Sequence, residues 1–138
     1  MHQDIYWLTL AVLSTAVMWT PYILNSFVVR GIVATVRNPS PDNKPLSPWA
    51  QRAKAAHYNS VENLAVFAPL VLACALLDQG HAPHESTVIA AQVYFFARVA
   101  YYFVYALGIP YFRTVLFLVG FGAQITVGLH VLAMMTAG

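Results

Sequence analysis

Charge is what this sequence has least of. Only 9% of its 138 residues are Asp, Glu, Lys or Arg, against about a quarter in an ordinary soluble domain, so too few remain to solvate a globular surface. Disorder is excluded by the 59% hydrophobic content, because it needs low hydrophobicity and high charge. Cys74 is the single cysteine, which excludes a disulfide scaffold and a four-cysteine zinc site. A net charge of +2 with no basic cluster gives no reason to expect a nucleic-acid partner. P-loop, nucleophile-elbow, HExxH and GxGxxG patterns are all missing, so any chemistry must come from a bound cofactor or cosubstrate. The class left is an all-α polytopic membrane protein of one domain, residues 1–138.

Long apolar runs are what is there. A bilayer core needs about 20 apolar residues as helix. Ile5 to Val29 is uncharged and predicts a first helix continuing to about Val36, ended by Asn38-Pro39. It makes a poor signal peptide, with Asp4 where a basic segment belongs and too long an apolar run. Asn38 to Pro48 holds four of the eight prolines and reads as a loop. Ser47-Pro48 reads as an N-cap and first-turn proline. The pattern then predicts helices over 48–77, 86–107 and 110–136. Arg30, Arg37, Lys44, Arg52 and Lys54 surround the first loop and Arg113 sits at the third, whereas the second loop has only Asp78 and Glu85. The positive-inside rule puts loops one and three in the cytoplasm and both termini outside it. The lack of extensions points to a bacterial inner membrane.

Ionisable residues within spans are costly and face protein or water. Arg98 is the clearest case, near the middle of the third helix, with Tyr101, Tyr102 and Tyr105 at i+3, i+4 and i+7. That spacing makes one stripe of a cation and phenols suited to an anionic ligand. On the second helix Arg52, Asn59 and Glu62 fall along one face, and His57 points nearly the opposite way. Plainer readings stand beside these. Glu62 neutralises Arg98, His57 bonds a carbonyl, the tyrosines are packing, and His81, His84, Glu85 and His130 are solvated or interfacial residues without a metal. Gly120, Gly122, Ala123 and Gly128 suit close helix packing.

Ala56-His57-Tyr58-Asn59-Ser60-Val61-Glu62-Asn63 resembles the Arg-Ala-His-x-Asn-x-x-Glu signature of the MAPEG family, the membrane-associated proteins in eicosanoid and glutathione metabolism. Arg98 with Tyr105, Pro110-Tyr111-Phe112-Arg113-Thr114, and Arg30 ahead of Asn38-Pro39 are similar to further family features. The resemblance implies a homotrimer that binds glutathione between subunits near the cytoplasmic side. It implies Arg30, His57, Asn59, Glu62, Arg98, Tyr105 and Arg113 around glutathione, joined by Tyr101 from the stripe. Arg113 would stabilise the thiolate and Thr114 assist. The activity implied is a transferase or peroxidase acting on a hydrophobic small molecule or lipid hydroperoxide from the membrane lipids. In one departure Ala55 stands where the family usually has arginine, with Arg52 and Lys54 close by. That departure favours the alternative, a non-catalytic MAPEG-like protein binding a lipid or a partner protein. A small transporter is a third reading, without a broken-helix or inverted-repeat signature behind it.

Overall fold

A computed structural model describes residues 2–137. Among these residues six helices run in chain order: α1 (Gln3–Val17), α2 (Thr20–Arg30), α3 (Ile32–Val36), α4 (Pro48–Leu77), α5 (Glu85–Ala106) and α6 (Phe112–Ala137). No strand occurs among the described residues. Gln3–Arg30, α4, α5 and Phe112–Thr136 are each long and apolar enough to cross a membrane. The protein is therefore an integral multi-pass membrane protein. Leu24, Val28, Leu76, Leu132 and Met135 are among many exposed large apolar side chains, a surface that lipid solvates and water does not.

The first crossing differs from the single helix that the apolar run predicts. It breaks at Met18-Trp19, and the cause is Pro21, which has no N–H for the carbonyl of Val17. The Thr20 hydroxyl donates to that carbonyl instead, at 2.6 Å. The neighbouring Met18 carbonyl accepts from the Tyr102 hydroxyl at 2.9 Å. A second break falls at Gly31, whose φ of 83° lies where side-chain-bearing residues are strained. A short α3 follows and then the proline-rich connection. Ser47 stands at the N-cap position of α4 with Pro48 inside the first turn. Its hydroxyl does not cap the helix: it accepts from Asn25 Nδ2 at 2.9 Å, and Asn25 Oδ1 accepts the Ser47 N–H at 2.9 Å. This pairing staples α2 to the start of α4.

α5 is the most enclosed helix. It packs against α1, α4 and α6, while α2 packs mainly on α3 and α4. Tyr94 of α5 stacks on Phe67 of α4 at 3.7 Å between ring centroids. Leu8, Ala11, Val71 and Val127 close the core around this pair. A second, smaller core joins Met18, Ala53, Ala56, Tyr101 and Tyr102. Small residues at 53 and 56 let α4 approach closely enough for the tyrosines of α5 to fill the gap. The chain direction separates the polar ends. Gln3 and Glu85 line one cavity at one end, and Arg52 reaches the last turn of α5 at the other.

Candidate functional site

The site grows from two helix faces. Asn59 and Asn63 are one turn apart on α4, and the Asn63 amide donates to Asn59 O at 2.8 Å and to Asn59 Oδ1 at 3.2 Å. Gln124 of α6 donates to Asn63 O at 3.1 Å and Asn63 Oδ1 at 3.2 Å. Asn59 Oδ1 also accepts from Arg98 Nη2 at 2.6 Å, and Ser60 Oγ lies 3.4 Å from the same nitrogen. A polar ladder thus links α4, α5 and α6 inside the apolar bundle.

Arg98 is 2% exposed, and both its bonds go to neutral side chains. Its Nε and Nη1 are buried without a partner among the described residues. A buried guanidinium that lacks an anion is expensive, more so in a membrane. Part of the compensation is aromatic. The guanidinium carbon lies 4.5 Å from the Tyr101 ring centroid, a cation–π contact. Tyr101 in turn meets Tyr105 at 5.8 Å, and Arg113 sits over the other ring of that pair, 4.6 Å from the Tyr105 centroid. The series Arg98, Tyr101, Tyr105, Arg113 therefore alternates cations and phenols from the bundle interior to its end.

That end holds a cavity of about 430 Å³, lined among others by Arg52, Tyr105, Gly108, Tyr111, Arg113 and Thr114. Among the described residues no carboxylate lines it. Arg113 and Thr114 are exposed, at the first turn of α6. Arg52 reaches across from α4 and donates from Nε to the Ala106 carbonyl at 3.1 Å. This places a cation at the carbonyl end of α5, where the helix dipole favours it. The turn between α5 and α6 is tight. Gly108 has a φ of 74° and Tyr111 one of 65°, unusual for a bulky side chain.

The expected ligand set does not form one cluster within the chain. Arg98, Asn59 and Tyr101 come together, and Tyr105 joins them to Arg113 and Thr114. His57 faces the other way, as its spacing predicts, and its Nδ1 pairs with the Tyr22 hydroxyl at 2.9 Å, with the Thr15 backbone also in reach of the ring. Arg30 donates from Nε to the Lys44 carbonyl of the first connection. Glu62 is exposed, and among the described residues Arg98 pairs not with it but with the Asn59 amide and the Ser60 hydroxyl. The tyrosine stripe also divides, Tyr102 serving the break in the first crossing. Sequence reading missed Gln124, Ser60 and Tyr22. Gln124 had a signal, as an amide alone within an apolar helix. Ser60 and Tyr22 had none. His81 Nδ1 is 2.8 Å from the Asp78 carbonyl, and His84 Nδ1 is 2.8 Å from Ser86 Oγ. No three metal-ligating side chains gather among the described residues.

Comparison with known proteins gives one result. A family model described as the MAPEG family matches residues 5–133, nearly the whole chain. No curated protein and no solved structure matches.

Proposed function

The chain belongs to the MAPEG family, and we propose that it is an integral-membrane glutathione-dependent transferase or peroxidase. The observation that carries this reading is the anion-friendly cavity, which has two guanidinium groups and, among the described residues, no carboxylate on its walls. Bound there, glutathione supplies a thiol whose thiolate forms a C–S bond with an apolar electrophile as a leaving group departs, or two glutathiones are oxidised to the disulfide as a hydroperoxide is reduced to an alcohol and water.

Arg113 is the group assigned to the thiolate. A free thiol has a pKa near about 8.5, and an adjacent cation lowers it. Arg113 lies over the Tyr105 ring and lines the cavity. Thr114 adds a hydroxyl donor beside it. Arg98, with two unpartnered nitrogens, and Asn59 suit a carboxylate, and Glu62 suits an ammonium. Tyr101 and Tyr105 shape the wall between them. His57 and Arg30 face away from this cluster and fit the reading through a second copy, so a homotrimer with shared sites is part of the proposal. The cationic end faces the cytoplasm, both termini lie outside it, and a bacterial inner membrane is the expected location.

Titration of the detergent-purified protein with glutathione, followed by ultraviolet thiolate absorbance, tests the reading. A saturable signal that Arg113→Ala abolishes while oligomeric size is kept supports it. No signal at millimolar glutathione overturns it. Ala55 favours a second reading, a non-catalytic lipid- or partner-binding member. Lys54, close to Ala55 on the same helix, is turned from the cavity, its Nζ 5.5 Å from the centroid of the exposed Tyr58 ring. Lipid copurifying with a chain that ignores glutathione would support that alternative.

A further inference from the structure

The same cavity raises a question that the motif leaves open: what replaces the cation missing at Ala55. We infer that Arg52 binds one of the two carboxylates of the ligand, the one that lies in this cavity, an inference that rests on the glutathione reading. The two neighbouring cations of α4 differ sharply. Lys54 is exposed, against the Tyr58 ring. Arg52 is half-buried and lines the cavity that Arg113 also lines.

The position of Arg52 is built rather than incidental. Its Nε is committed to the Ala106 carbonyl at 3.1 Å, which fixes the plane of the guanidinium. Its Nη1 and Nη2 make no hydrogen bond among the described residues, and a guanidinium presents this pair as a fork that matches a carboxylate. The turn after α5 makes room for it. A Cβ on Gly108 would lie 3.1 Å from Arg52 Cζ and 3.2 Å from Nη2, and φ at that glycine is 74°. Gly108 therefore admits the guanidinium twice over, by its missing side chain and by its backbone. With Arg113 reserved for the thiolate, the cavity keeps one cation for a carboxylate of the same ligand. Arg52 is three residues from Ala55, about one helical turn, so the charge lost at 55 is restored on a neighbouring part of the α4 surface.

Calorimetric binding of glutathione to the full-length protein in detergent tests this, with glutathione diethyl ester as the carboxylate-blocked probe. Arg52→Gln is expected to weaken glutathione binding roughly tenfold or more and to change binding of the ester little. Lys54→Gln should leave both affinities where they are. Gly108→Ala keeps the charge but crowds the guanidinium, and should fall between wild type and Arg52→Gln. Arg52→Lys should recover part of the loss, since it restores charge without the fork. Unchanged affinity in Arg52→Gln, or equal losses for glutathione and its ester, overturns the inference. If Arg52→Gln loses helix by circular dichroism, Gly108→Ala decides, and wild-type affinity in that variant overturns it. Thiolate absorbance separates the two claims. Wild-type protein that binds glutathione without a thiolate signal removes the transferase reading and leaves Arg52 to be judged on binding. Protein that binds neither probe overturns both.

Discussion

Arg98 and Arg113 are the two arginines of the last two membrane helices, and they live under opposite rules. Arg98 is buried, bonded to Asn59 and Ser60, and stacked on Tyr101. Arg113 is exposed, stacked on Tyr105, and makes no hydrogen bond among the described residues. A cation taken out of water must be held by polar groups of the bundle, and so it organises the packing around it. A cation at the end of a helix keeps its donors for something that arrives later. One face of each is covered by a phenol from the same stripe of α5, so a shared motif serves an interior role and a surface role.

Breaking the surface member should show the largest effect. Arg113→Ala is expected to lower conjugation of glutathione with an aryl halide by about 10²-fold or more, the scale seen when a charge-stabilising donor is lost. Thermal unfolding should change little, because this exposed side chain contributes only a cation–π contact with Tyr105, worth roughly 0.5–1 kcal/mol. The pH profile gives the sign. A cation lowers the thiol pKa, so the wild-type rate should reach its plateau below about pH 8.5, and Arg113→Ala should push the rise back towards that value. A profile identical in the two proteins would remove Arg113 from the chemistry.

The interior member should respond in stability. Arg98→Met leaves Asn59 with a lost charged partner inside the bundle, at a cost of about 1–3 kcal/mol. Asn59→Leu in the same chain removes the amide that has lost its charged partner and keeps only its bond from Asn63, and the double variant should recover part of that loss. Additive losses would mean that the two side chains do not act as a pair. The shared stripe gives the smallest effects. Tyr105→Phe keeps the ring under Arg113 and should be near neutral. Tyr105→Leu removes it and should cost a few-fold in rate, in line with roughly 0.5–1 kcal/mol for an exposed cation–π contact. Equal behaviour of Phe and Leu would show that the hydroxyl or mere bulk matters, not the aromatic face.

The sequence made some of this legible and hid the rest for definite reasons. Arg98 and Tyr101 share a face by helical spacing alone, and the structure joins them. The partner of Arg98 was misjudged because charge suggested Glu62, whereas helix rotation turns Asn59 and Ser60 inward and leaves Glu62 outside. Ser60 carried no warning, since a serine in a helix is as often solvated as bonded. Arg52 and Gly108 lie 56 positions apart, and only the antiparallel approach of α4 to the end of α5 brings them into contact. The break at Met18-Trp19 was foreshadowed by Pro21, yet a proline in an apolar run marks either a kink or an interruption. Tyr102 and Thr20, which take up the freed carbonyls, decide for interruption.

What the sequence determined by itself is the class and the ingredients. Scarce charge and four apolar runs require membrane helices, because a bilayer solvates nothing else of that composition, and the motif set points to the family. What only the tertiary structure decided is which polar side chains meet. Periodicity fixes faces on one helix, but the rotation and depth of one helix against another depend on how side chains such as Phe67, Tyr94 and Ala53 pack. That packing puts Arg98 against amides and sets Arg52 and Arg113 around one cavity.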